Sequence, residues 1–207
     1  NWLLWAVLSN GALVLSAGAR LTNATWRGPI PRGANAMGAY LPAALLLFSV
    51  IYFGRHHLFE WVEHPIHGKE FWFEPSFTFT RDVIALLWIT FVSIFYQYLS
   101  IRPMLGRARE TATGLRGAIY QRWTAGWRGE EREREIATRR ARKLAAVLAL
   151  SYAICYSLIG IDMIMSLAAE WVSTMFPAYY AWGGFLSAIS MTTVICLVMR
   201  NSSALSG

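Results

Sequence analysis

The chain has 207 residues, 56% of them hydrophobic and 15% charged, and a formal net charge of +7. A soluble domain carries about 25% charged residues, so this composition excludes a water-soluble globular protein, because too little polar surface exists to cover the apolar residues. The hydrophobic residues come in long blocks instead of helical stripes, so the helices need an apolar solvent on their outer faces as well.

Uncharged runs near the roughly 20 residues that cross a bilayer as a helix occur five times. No ten-residue alternation of the kind a β-barrel needs is visible, so each run is predicted to be helical. The first covers residues 2–19. No basic n-region precedes it, which argues against a signal peptide, and Asn1 stands where an initiator Met would, so a longer parent chain is expected. A connection with Arg20, Arg27 and Arg32 and no acid leads to the second run, residues 37–54.

Residues 55–82 form the next connection. It holds all four histidines, His56, His57, His64 and His67, among Glu60, Glu63 and the aromatic residues Phe59, Trp61, Phe71, Trp72 and Phe73. Aromatic side chains in this position anchor a chain at the headgroup level. The third run, residues 83–101, is predicted to stop at Arg102-Pro103. The segment 102–143 carries twelve basic residues, and its alternating Glu and Arg from Glu130 onward suit a solvated helix leading into the fourth run. That run covers residues 144–169 and the fifth covers 175–199. Cys155 and Cys196 both lie inside runs and form no CxxC pair, which argues against an iron–sulfur, zinc or disulfide framework.

The basic connections fall on one side if every run crosses once, while 55–82 has three basic residues against five acids. The positive-inside rule then predicts a cytoplasmic segment 102–143 and an outer 55–82 loop.

Asp162 is the sharpest chemical signal, a carboxyl within the fourth run. Leaving it in hydrocarbon costs at least about 2.5 kcal/mol, so it is expected to face the bundle interior and to take part in function. Continued helix would set Asp162, Ser166 and Glu170 on one face, a polar track leading outward, which Glu60 and His57 could join. The same residues could equally cap a helix end. A zinc site at His57, Glu60 and His64 lacks a fourth ligand, and haem ligation is disfavoured because all four histidines lie at or beyond the helix ends.

Three stretches carry a family resemblance. The first runs through Thr25, Trp26, Arg27, Pro29, Pro31 and Arg32 to Tyr40, Leu41 and Pro42, and on to Phe59, Glu60, Trp61, His64 and Pro65. The second includes Lys69, Phe77, Phe79, Arg81 and Asp82. The third has Asp162, Met165, Ser166 and Leu167, then Trp171, Ser173 and Thr174. Together they resemble the ActF-type membrane subunit of alternative complex III, within the NrfD or polysulfide-reductase-like group. Ala169-Glu170 departs from the Pro-His common there. The resemblance covers about the N-terminal half of such a subunit, which usually has ten spans. It implies a quinone or quinol at or near the subunit, and no haem, metal or flavin bound by this chain. It also implies partner chains that are integral membrane subunits or carry iron–sulfur, molybdopterin-type or cytochrome centres, in a bacterial inner membrane.

The expectation is therefore an all-α polytopic transmembrane bundle of about five spans, half of a longer subunit. Residues 1–101 would hold three spans and the outer loop 55–82, residues 102–143 a basic cytoplasmic amphipathic segment, and residues 144–207 the last two spans. The expected function is a quinone-facing, proton-handling subunit of a respiratory quinol-linked oxidoreductase, in contact with membrane lipid and no nucleic acid. Asp162, Ser166, Glu170 and Glu60 are the expected proton path, and His57, His64, Trp61, Arg81 and Asp82 the quinone-site candidates. A secondary transporter half, or a structural anchor for peripheral redox subunits, is the competing expectation.

Overall fold

The computed structural model describes residues 1–24, 30–168 and 171–199, with every side chain except that of Arg107. Within them all regular elements are helical: α1 (Trp2–Leu21), α2 (Ile30–Gly38), α3 (Leu41–Phe53), α4 (Arg55–Leu58), α5 (Pro75–Thr111), α6 (Gly114–Trp123), α7 (Glu130–Met163) and α8 (Phe176–Val198). Two single 3₁₀ turns, Glu60–Val62 and Met165–Leu167, complete the set. Five helical segments are long and apolar enough to cross a membrane, α2 and α3 forming one of them together. The chain is an all-α polytopic bundle.

Long-range bonds fix which helix ends lie together. The Tyr180 hydroxyl donates to the Leu3 carbonyl, so α8 starts beside the start of α1. Trp72, just before α5, donates to Asp162 at the end of α7. Arg142, just before the apolar part of α7, donates to the Leu21 carbonyl at the end of α1. One end of the bundle therefore holds the histidine-rich connection, and the other holds the basic segment.

Helix α1 is the centre of the bundle, touching α2, α3, α5, α7 and α8. It meets α8 through small residues. A Cβ on Gly11 would stand 2.9 Å from the Ala188 Cβ and 3.2 Å from the Gly184 carbonyl oxygen. Such close backbone approach is how helices associate where lipid removes any hydrophobic drive between them. Large apolar residues then point outward, among them Leu46, Val50, Phe91, Leu150, Ile154 and Leu186. In water they would form a large exposed apolar patch.

Three sequence expectations change. The 55–82 connection is not all loop, because α5 begins at Pro75: the Glu74 carboxylate accepts the Phe77 N–H at 2.6 Å, and Pro75 occupies a first-turn position that needs no donor. That same bond holds the Glu74 carboxyl below its usual range. Arg81 and Asp82 are consequently helical residues. Pro103 does not stop α5, which continues to Thr111. Proline removes one ladder bond, but Arg102 pins the helix on the far side by donating to the Glu133 carboxylate at 2.7 Å and to the Trp123 and Ala125 carbonyls, each at 3.2 Å. The second span starts earlier than residue 37. Helix α2 already packs against α1 and α8, and the Gln97 amide crosses Gly38, where a Cβ would collide with it, to reach the Asn35 carbonyl at 3.2 Å.

The expectation of a charged helix running into the fourth span matches α7, continuous from Glu130 to Met163. Its first turn holds Glu130, Glu131 and Glu133, the sign that a helix N-terminus favours.

Candidate functional site

Asp162 lies in the last turn of α7, which ends one residue later at Met163. The fourth span thus stops short of residue 169. Ser166 sits on the following 3₁₀ turn, and its hydroxyl donates to the Asp162 carbonyl at 2.6 Å. It satisfies one of the carbonyls that a helix C-terminus leaves open. The expected helical face through Asp162, Ser166 and Glu170 is therefore not formed as such, and Glu170 lies outside the described residues.

The Asp162 side chain is fully buried. Its Oδ1 accepts from the Trp72 indole N–H at 3.1 Å and its Oδ2 from Arg81 Nε at 3.0 Å, with Arg81 Nη2 2.7 Å from the same oxygen. The guanidinium lies over the Trp72 ring, 4.0 Å from its centroid, and 4.9 Å from that of Phe77. This aromatic face holds the cation in a partly dry site. Burying the carboxylate is tolerable because the cation and two directed donors replace water.

Asp82 follows Arg81 and is equally buried. Its carboxyl interacts with that of Asp162. Neither Asp82 oxygen receives a donor among the described residues. Ionised carboxylates are acceptors only, so a hydrogen bond between these two requires a proton on one of them. Arg81 Nη1 and the Trp61 indole N–H are likewise buried without an acceptor. One end of the bundle thus holds a cation and two acids with spare hydrogen-bonding capacity of both kinds.

Two clefts open against the side chains that bond Asp162, Trp72 in one and Ser166 in both, with Arg81, Asp82 and Asp162 themselves behind the cleft walls. One of about 450 Å³ is lined by Trp72, Phe73, Ile161, Met165, Ser166 and Trp171 among others. The second, about 580 Å³, is lined by Glu60, Trp61, His64, Ser166, Leu167 and Trp171 among others. Both fall within the size range of small-molecule sites, and Ser166 and Trp171 are walls of each. A cage of buried rings, Phe59, Trp61, Phe73 and Phe79, stacks behind the second cleft, with neighbouring centroids 5.4 to 6.2 Å apart.

Of the residues singled out in the sequence, Asp162, Ser166, Arg81 and Asp82 come together, while Glu60, Trp61 and His64 line the second cleft. His57 is exposed on α4. His56 and His67 are exposed and pair with Glu63 at 3.6 Å and Glu70 at 3.3 Å. Among the described residues, no three His, Cys, Asp or Glu side chains converge in a metal-binding group.

Sequence reasoning missed Trp72 as a partner of Asp162, and it missed a second buried network deeper in the bundle. There the Asn10 amide donates to the Tyr156 hydroxyl at 2.6 Å, Ser93 donates to the Asn10 carbonyl oxygen at 2.6 Å, and Tyr156 donates to the Ala6 carbonyl at 2.8 Å. Further toward the basic end, the Ser16 and Tyr96 hydroxyls are 3.2 Å apart, and Arg20 reaches Ser100 at 3.4 Å. Asn10 was the available signal, an amide in an otherwise apolar run, but single neutral polar residues do not interrupt a span.

No protein-family model matches the chain, and no curated protein sequence matches it.

Proposed function

We propose that this chain is a quinone-facing, proton-handling membrane subunit of a respiratory quinol-linked oxidoreductase, of the ActF type within the NrfD-like group. On this reading it sits in a bacterial inner membrane with its basic segment cytoplasmic and its histidine-rich end outside. The observation that carries the reading is the buried Arg81, Asp82 and Asp162 cluster beside two clefts walled by aromatic side chains.

The residues fit a quinol headgroup. The Trp61 N–H, on the wall of the second cleft, would be a donor for a quinone oxygen, and Arg81 Nη1 and Asp82, unpartnered behind the cleft walls, would supply a further donor and an acceptor once the headgroup displaces those walls. Rings such as Trp72, Phe73 and Trp171 suit a flat apolar ligand. A bound quinol supplies two electrons and two protons on oxidation. With both acids ionised, one guanidinium against two carboxylates leaves the cluster with one net negative charge, so it has room for one such proton. Asp82 would take that proton and share it with Asp162, while Arg81 and Trp72 hold Asp162 in place; the second proton would leave to the outer aqueous phase through the cleft that Glu60 and His64 line. Electrons would pass to the redox centres of partner chains.

The test is Asp82→Asn and Asp162→Asn in the assembled complex, scored in preparations that retain all subunits. Removing a positioned proton acceptor typically costs at least about a hundredfold in rate, and a loss of that order in quinol turnover, with a matching loss of proton movement, is the expected outcome. Unchanged turnover in both variants overturns the reading. A buried ion cluster in a membrane also suits a secondary transporter. Purification as a lone polypeptide without redox-bearing partners or bound quinone decides for the transporter.

A further inference from the structure

At the basic end, α5, α7 and the turn that follows α6 enclose a cleft of about 370 Å³. Phe95, Leu99 and Ile136 form an apolar wall, while Arg102, Arg128 and Arg140 bring three guanidinium groups to the same cleft. Glu133 is the acid among its lining residues, and Arg102 claims it, with Nε 2.7 Å from Oε2 and Nη2 3.3 Å from Oε1. Arg128, on the loop before α7, lines the same cleft, near enough to Glu133 for its charge to act on that carboxylate as well. The remaining two cations, Arg128 and Arg140, have exposed side chains.

The depth of this cleft is informative. Phe95 and Leu99 belong to the last turns of the apolar run in α5, and Arg140 stands one turn before the apolar part of α7 begins. The cleft therefore straddles the level where hydrocarbon gives way to headgroups, its apolar wall continuous with the lipid-facing side of α5 and its cations just beyond.

We propose that this cleft is a binding site for one anionic phospholipid. Its phosphate sits between Arg128 and Arg140, and an acyl chain lies along Phe95, Leu99 and Ile136. Guanidinium groups match phosphate oxygens with paired donors, and basic pockets between spanning helices hold anionic headgroups. A free phosphate would leave the apolar wall without a use, which favours the lipid. The inference is independent of the quinol reading.

Native mass spectrometry of the protein purified in mild detergent and titrated with phosphatidylglycerol or phosphatidylcholine tests it. Each arginine at a membrane surface contributes about a fivefold factor, so Arg128→Gln with Arg140→Gln is expected to weaken phosphatidylglycerol retention about thirtyfold. Arg132→Gln with Arg134→Gln, two exposed residues of the same helix that do not line the cleft, is expected to leave retention unchanged, and phosphatidylcholine is expected to bind weakly throughout. Equal losses in the two double variants mean diffuse attraction to the basic segment and overturn the proposal. So does equal retention of the two lipids, or displacement of phosphatidylglycerol by an equal concentration of inorganic phosphate.

Discussion

Arg81 carries more of the site than any other side chain, since it neutralises Asp162, stacks on Trp72 and Phe77, and stands next to Asp82 in the chain. Removing one member of a buried ion pair leaves the other charge without compensation. Arg81→Met is therefore expected to destabilise the protein by about 3 to 5 kcal/mol, read as a lowered unfolding midpoint in detergent, and Arg81→Met with Asp162→Leu to recover much of that loss. If the double variant is no more stable than the single one, the ion pair is not what holds Asp162. Asp162 is visible in the sequence because an acid inside an apolar run is rare. Its partners are not, because Trp72 and Arg81 lie 90 and 81 positions away, and no local pattern marks which aromatic or which arginine will meet it.

At the scale of the element, helix contacts turn on residues too small to register in hydropathy. Gly11 faces the Ala188 Cβ and the backbone of Gly184 and Phe185, whereas a Cβ on Gly183 would meet nothing within 4 Å. Gly11→Ala is expected to cost about 1 to 3 kcal/mol, because two helix backbones must separate to admit the methyl group. Gly183→Ala is expected to be neutral or to stabilise by up to about 1 kcal/mol through helix propensity. Thermal melts of the two variants in the same detergent check this, and equal costs would mean that α1 and α8 do not pack through Gly11. Element ends follow a similar logic. The start of α5 rests on Glu74 and Pro75, a local capping signal present in the sequence. Its passage through Pro103 rests on Arg102 reaching Glu133, 31 positions away.

For the molecule as a whole, five crossings put the connections alternately on two sides. Single cysteines at Gly68 and at Gly129, two turn positions at opposite ends of the bundle, should therefore react with a membrane-impermeant thiol reagent from opposite sides of intact cells or inverted vesicles. With the positive-inside orientation proposed above, Gly68→Cys is labelled from outside and Gly129→Cys only after inversion. Labelling of both from one side would break the five-crossing topology. Native Cys155 is buried and gives little background, and Cys196, only partly buried in the fifth span, is replaced by Ala in both variants.

The sequence alone determined that this is a membrane-spanning helical bundle, where its five apolar segments lie, that a charged helix feeds the fourth of them, and that Asp162 has to be compensated. Each of those follows from quantities summed along a short stretch of chain: the free energy of placing side chains in hydrocarbon, and the length needed to cross it. Tertiary structure decided what compensates Asp162, that α7 ends at Met163 and leaves Ser166 on a separate turn, and that Asp82 joins the cluster instead of the outer loop. It also brought Asn10, Ser93 and Tyr156 from three helices into one network. The physical reason is that a lipid solvent accepts almost any apolar face, so hydropathy leaves each helix free to rotate about its axis. What fixes that rotation is small-residue contact and the need of each buried polar group for a partner, and both are supplied by residues distant in sequence.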